Sequence, residues 1–464
     1  MSITKSVVIL ASDFPPLAGT NIMRVQGFAK HLCSYGWSPV IFTCSISDLP
    51  AVDMRQLDHL PSSLVINRIN SPDPFLWMKR RRSLTPCDVS SINVDGVHED
   101  TAYKPVSHAN TRLREFARFP ISLASACLKS LVRAAWYCPD AMRPWSDRAA
   151  RSAIKYIKRH HADVLFTSSP AYSCHVSGIK IKASSGIPWV ADFRDLWVNR
   201  PGRVAKKGLH GLREKRLESD VVKYADKIII ASSFWEDNFA SRYGEWIREK
   251  IVYLPTGYDK SVIPEPTKEK DNNSITFVYT GAMYNTESPS PFLIALGELH
   301  DEYPGILDRV KVRLIGYAGD DLPYLQKIVD DLNIGSHVEM PGTLSREQCL
   351  SEQANADLLL LFNGPEHFET IRGKTYEYLA HGKPILALVP KGGAQDKLLR
   401  DSGIALIADY SDIAAIKAIL KDVILNNVHT DLKANWEYIE KFNMESITKS
   451  LSSLLDEVCN PASV

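Results

Sequence analysis

Short apolar runs alternate with longer amphipathic stretches along the chain. The first half carries Val7–Ala11, Val40–Thr43, Leu64–Ile69, Val164–Phe166, Trp189–Asp192, Lys227–Ala231 and Ile251–Leu254. The second half carries Ile275–Tyr279, Val312–Ile315, Val338–Met340, Leu358–Phe362, Ile385–Val389 and Ile404–Ile407. Near-continuous Val, Ile and Leu over such lengths predicts strands buried on both faces, as in parallel sheets. Between them the spacing predicts helices over Asn21–Tyr35, Ser146–His160, Phe234–Tyr243, Pro291–His300, Ser345–Asn355 and Lys374–Ala380. This alternation predicts right-handed crossovers and a doubly wound α/β architecture.

The pattern occurs twice. The stretch 259–273 is polar, charged and punctuated by Pro264 and Pro266, which suits a linker. We therefore expect two Rossmann-like domains facing across a cleft, an N-terminal one over 1–258 and a C-terminal one over 274–440. Leu432–Val458 reads as helix, and 441–464 is expected to return to the N-terminal domain. Residues 72–137 break the rhythm. They hold the basic run Lys79-Arg80-Arg81-Arg82 and then Thr111–Tyr137, which mixes Arg and Lys with Phe, Leu and Trp. A basic amphipathic segment can lie in a membrane interface. The plainer reading is a helix packed on its own domain, with a solvated basic loop before it.

Composition changes the picture only by exclusion. The chain has 464 residues, of which 45% are hydrophobic and 23% charged. That excludes a disordered chain, and 55 basic against 54 acidic residues leaves no global field to draw it onto nucleic acid. Eight scattered cysteines, none at C-x-x-C spacing, argue against a zinc ribbon or redox dithiol and fit a reducing compartment. No stretch reaches the ~18–20 apolar residues that span a bilayer. The expected setting is cytoplasmic, with peripheral contact at the cytoplasmic face of the inner membrane as a further reading.

Three strand–loop–helix junctions carry candidate chemistry. The first runs from Val7–Ala11 through Gly19, and the second from Val278 through Gly281. Each glycine allows close backbone approach at the carboxyl end of a strand, where open α/β sheets bind ligands. The third and strongest runs from Glu369 to Ala387. A helix starting near Gly373 or Lys374 would offer its free amides to an anion, with Arg372 and Lys374 adding full charge. On one continuous helix Glu369 and Glu377 would stand about 12 Å apart, too far for a paired acid and base. With Glu369 in the preceding loop, the two carboxylates can serve opposite ends of one ligand. The bland alternative is an amphipathic helix with two solvated glutamates.

The segment Glu369–Ala387 resembles the E-x7-E signature of retaining glycosyltransferases of the GT-B fold, family-4-like group, common in bacterial cell-surface polysaccharide synthesis. Phe14-Pro15-Pro16, Gly19 and Arg24 resemble that group's N-terminal signature, and Ala191–Trp197 its D-F-R-D-P-W element, with Leu196 in place of Pro. Ala225–Ser233 and Tyr253–Asp259 resemble two further elements in the expected order. The resemblance implies a nucleoside-diphosphate sugar, most commonly of uridine, bound mainly by the C-terminal domain. Glu377 would bind the ribose and Glu369 the transferred sugar. The amides of Gly373, Lys374 and Thr375, with Gly19 and Gly281, would face the diphosphate. Retention would follow from front-face attack, the leaving phosphate taking the acceptor proton. The implied acceptor is a cell-envelope glycan or a lipid-linked precursor (lipopolysaccharide, capsule or exopolysaccharide), with a soluble small molecule as the alternative.

One stretch departs from the family. Where an Arg and then a Lys usually reach the diphosphate, Gly281–Pro289 has no basic residue. Arg372 and Lys374 are the candidates to compensate. No D-x-D stands at a strand end, so no metal and no further cofactor is expected. On the acceptor side, Asp192, Arg194 and Asp195 follow one strand and His175 another. Asp195 ranks above His175 as the group that orients the acceptor hydroxyl. A helix-surface or satisfied core histidine is the competing reading for His175, and an ion pair of Arg194 with Asp192 or Asp195 the competing reading for those groups. An NAD(P)-dependent oxidoreductase would want G-x-G-x-x-G after the first strand, and it is missing. A non-catalytic nucleotide-binding relative would have lost the two glutamates, and both are present.

Overall fold

In the computed structural model, which describes residues 5–72, 136–200, 208–267, 273–283 and 287–460, each expected apolar run forms a strand. β1 (Lys5–Leu10), β2 (Trp37–Cys44), β3 (Val65–Ile69), β4 (Val164–Ser168), β5 (Trp189–Phe193), β6 (Lys227–Ile230) and β7 (Ile251–Tyr253) form one sheet, ordered β3-β2-β1-β4-β5-β6-β7. β8 (Ile275–Thr280), β9 (Val310–Ile315), β10 (Val338–Gly342), β11 (Leu358–Phe362), β12 (Ile385–Leu388) and β13 (Ala405–Ala408) form a second, ordered β10-β9-β8-β11-β12-β13. The neighbours whose register is defined pair in parallel. Leu358 to Phe362 of β11 are all fully buried, as a strand covered on both faces must be.

In both sheets the strand order reverses beside the first strand. β1 pairs with β2 on one side and β4 on the other, and β8 with β9 and β11. The loops leaving β1 and β8 therefore stand at the two switch points, where the crevice of an open α/β sheet lies.

The chain divides into two compact units. One holds Met1–Ile229 with Ser452–Val464, the other Ile230–Leu451. The division falls before the stretch 259–273, of which Lys260–Val262 is a short 3-10 helix capped by the Asp259 carboxylate. Lys5 and Asp456, both of the first unit, pair at 2.8 Å. The insertion expected at 72–137 lies almost entirely outside the described residues.

The helical expectations change in two ways. Ser173–Ser185, Gly208–Tyr224, Leu322–Asp331, Ala394–Ser402 and Ile413–Asn426 are helices beyond those expected; the first is buried throughout Ser173–Gly178, where small polar and apolar residues alike face inward and set no period. The segment Leu432–Val458 is not one helix. A short helix Trp436–Ile439 and a 3-10 turn Glu440–Phe442 precede the helix Met444–Cys459. Asn443 is extended because Tyr258 takes both flanking backbone groups. Its N–H donates to Phe442 O at 2.9 Å, and Met444 N–H donates to its carbonyl at 2.8 Å.

Candidate active site

The helix Gly373–His381 follows β11, with Arg372 extended at its N-cap. Its first-turn amides have no acceptor within the helix, which leaves Gly373 and Lys374 donors at the switch point of the second sheet. Gly373 is exposed, and a Cβ there would meet nothing. Thr375 differs from expectation. It is fully buried, its N–H donates to Arg372 O at 3.0 Å, and its hydroxyl accepts from Gln395 Nε2 at 2.8 Å. Its polar groups are committed to fixing the helix start rather than facing a ligand.

Gly281 leaves β8 with φ of +139°. A Cβ there would run into the Lys374 ammonium, so only glycine lets that side chain come in. Lys374 Nζ donates to Tyr279 Oη at 2.7 Å and sits 4.4 Å from the centre of the Tyr279 ring. Burial holds the Tyr279 phenol well above its ordinary pKa, so it stays a neutral partner.

The expected cations Arg372 and Lys374 meet at one carboxylate that the sequence reading did not single out. Glu287 Oε1 is 2.8 Å from Arg372 Nη2, and Glu287 Oε2 is 2.9 Å from Lys374 Nζ. All three side chains are largely buried. Burial works against the Glu287 charge, but Lys374 and Arg372 outweigh it and hold the group below the usual carboxylate range. Arg372 Nη2 also lies 2.8 Å from His367 Nε2.

Glu377 is buried on the same helix, and Arg346 Nη1 reaches its Oε1 at 2.8 Å. Arg346 begins the helix Arg346–Asn355, whose start is fixed by the capping box of Ser345 and Gln348. Glu369 stands in the loop before Gly373, outside the helix, so the two glutamates do not share one helix face. Burial pushes its carboxyl up, and the Asp237 charge adds to this. Its carbonyl accepts from Ser232 Oγ at 2.6 Å.

The acceptor-side candidates lie in the first unit. Asp192, at the end of β5, is fully buried and pairs with Arg24, not Arg194. Arg24 Nε donates to Oδ1 and Oδ2 at 3.1 and 3.0 Å, and Nη2 to Oδ1 at 2.8 Å. Ser168 Oγ adds a bond to Oδ2 at 2.8 Å. Arg194 instead donates to Asn21 O and, at 3.2 Å, to Asn21 Oδ1. Asp195 faces Arg200 at 3.6 Å and stays partly exposed. His175 is fully buried, 2.8 Å from Thr167 Oγ1 and stacked on Phe193. Burial pushes its pKa down to about 3, so the ring is neutral. This matches the core-histidine reading, and a ring sealed from solvent does not reach an acceptor.

Gly19, in the loop leaving β1, has φ of +121° with open space where a Cβ would stand. Asp13 in the same loop was not singled out from sequence. It accepts from Ser12 Oγ at 2.9 Å, and burial raises its carboxyl against the opposing charge of Arg194. Only its place directly after the first apolar run could have marked it. Among the described residues no group of three or more His, Cys, Asp or Glu is placed to hold a metal ion. No described helix is long and apolar enough to cross a membrane.

Residues 128–262 match the family model for Glycosyltransferase Family 4. The chain is similar in structure to sucrose-phosphate synthase from Thermosynechococcus elongatus, with a TM-score of 0.63 and 12% identity, over 99% of this chain and 100% of that one. The chain has the two-domain α/β fold of GT-B glycosyltransferases, and its residues 128–262 carry the likeness to family 4. The chain is also similar to Anabaena HepE in complex with UDP, at a TM-score of 0.61 and 12% identity over 98% and 100% of the two chains. A third likeness is to the lipopolysaccharide outer core galactosyltransferase WaaB in its apo form. Its TM-score is 0.53 at 14% identity, over 98% of each chain. At these identities the likeness is one of fold. No curated protein sequence matches the chain.

Proposed function

We propose that the chain is a glycosyltransferase that moves a sugar from a UDP-sugar, with retention, to a cell-envelope glycan or its lipid-linked precursor. The observation that carries this is the convergence of Arg372 and Lys374 on one carboxylate at the start of the helix after β11. Two cations with first-turn amides beside them suit a diphosphate. HepE, of similar fold, is seen with UDP, and WaaB acts on lipopolysaccharide, which supports the donor and acceptor classes.

In this reading Glu377, steadied by Arg346, takes the ribose hydroxyls, and Glu369 contacts the transferred sugar. Gly281 lets Lys374 reach the phosphates. The bond from sugar C1 to the phosphate oxygen breaks while the acceptor oxygen bonds to C1. The acceptor proton passes to the leaving phosphate oxygen. Arg372 and Lys374 stabilise the charge that develops there, in place of a metal. Asp195 and Asp13 are the acceptor-side carboxylates. Peripheral contact with the cytoplasmic face of the inner membrane belongs to the same reading.

The test is slow donor hydrolysis followed by NMR. UDP-glucose, UDP-galactose and UDP-N-acetylglucosamine are each incubated with the protein. Release of the α-anomer first from one of them is expected. The β-anomer first would overturn retention, and no UDP release from any would overturn the UDP-sugar reading.

A further inference from the structure

We infer that Glu287 is the site's resident counter-anion: its carboxylate stands between Arg372 and Lys374 where a diphosphate would go, and it limits how tightly nucleoside diphosphate is held. This rests on the proposed donor site.

Neither cation needs Glu287 to stay in place. Arg372 Nη2 is also held at His367 Nε2, and Lys374 Nζ at Tyr279 Oη and over the Tyr279 ring. Glu287 is thus an added anion rather than the anchor of the cluster. It spreads its two oxygens over the two cations, one to each, as the oxygens of a diphosphate would. Arg372 Nε is buried and without a hydrogen-bond partner among the described residues, so the guanidinium keeps a donor that the single carboxylate does not use. An incoming anion with more oxygens would satisfy it.

The charge balance gives the device a use. Two cations and one carboxylate leave the cluster at a net single positive charge. A nucleotide sugar carries two negative charges on its diphosphate. Loss of the sugar frees a terminal phosphate with a second ionisation near pH ~6, so the product carries about three near neutrality. A carboxylate fixed among the cations opposes the product more than the donor. Glu287 therefore favours release of the nucleoside diphosphate after transfer, at some loss of donor affinity.

Calorimetric titration of the full chain with UDP and with UDP-glucose tests this. It compares the wild type, Glu287→Gln, and the double variant Arg372→Ala with Lys374→Ala. Glutamine keeps the shape and removes the charge. We expect Glu287→Gln to bind UDP about tenfold more tightly than the wild type, with a smaller gain for UDP-glucose. The double variant should lose UDP. If the wild type binds and the double variant does not, yet Glu287→Gln binds as the wild type does or more weakly, the counter-anion role is overturned and the donor site stands. An equal gain for both ligands would overturn the product-release role alone. UDP binding to none of the three, or unchanged binding in the double variant, would overturn the donor site and the counter-anion together.

Discussion

Arg346 Nη1 and Glu377 Oε1 lie 2.8 Å apart, joining the first residue of one helix to the middle of another. A carboxylate steadied by a guanidinium keeps lone pairs for hydroxyl donors. Arg346 is a third exposed, so the pair adds little to folding. Its effect is expected on a ligand of Glu377. Arg346→Ala should weaken UDP binding about tenfold, the size of one lost charge-assisted bond. The melting temperature should hardly move. Calorimetry beside thermal melts checks both, and a lowered melt with unchanged affinity would contradict this role.

Arg372 and Lys374 are assigned to the leaving group. Removing both with Arg372→Ala and Lys374→Ala should lower kcat about 100-fold or more, as loss of preorganised charge at a developing anion does elsewhere. Initial rates of UDP release from the donor measure it. A double variant that turns over like the wild type would remove these cations from the account.

Asp192 belongs to the fold of the first unit. Both it and Arg24 are fully buried, and Asn at 192 would strand a buried guanidinium. Asp192→Asn should cost about 3 to 5 kcal/mol in urea unfolding. A loss below about 1 kcal/mol would show that the pair is not an essential buried contact.

The His175 ring gives stability a pH dependence with a definite sign. Its pKa is depressed to about 3 in the folded protein, chiefly by burial, from an ordinary 6.5. The unfolded chain takes up the proton below 6.5 and the folded chain does not. The stabilising contribution is complete above 6.5 and falls as the pH drops toward 3. Between pH 7 and 5 the wild type should lose about 2 kcal/mol that His175→Leu does not lose. Paired unfolding curves at the two pH values decide it, and parallel losses would contradict the buried neutral ring.

Much of this molecule was readable in advance. Each strand announced itself as an apolar run, because a strand covered on both faces has no polar alternation to blur it. The helix Gly373–His381 was legible from its glycine start and its cations. Glu287 was not, since the stretch from Gly281 to Pro289 was notable for its lack of basic residues, and an acidic side chain there has no meaning until β8 and β11 bring it to Arg372 and Lys374. Arg346 was visible at a helix start, but its partner is 31 positions on and only packing joins them. The Asp192 partner lies 168 positions away at Arg24, where local reading offered only Arg194. Ser173–Ser185 escaped because its first half, Ser173–Gly178, is buried all round and carries no periodic signal.

The central claim is that Glu377 binds a nucleoside diphosphate within the second unit, and one titration tests it directly. UDP, GDP, CDP, ADP, dTDP and NADH are each titrated into the wild type and Glu377→Ala, with EDTA present and melts recorded in parallel. The account predicts that UDP binds the wild type without metal, that Glu377→Ala binds it at least about tenfold more weakly, and that the variant melts close to the wild type. Binding of NADH alone, or equal UDP affinity in a variant with a lowered melt, would contradict it.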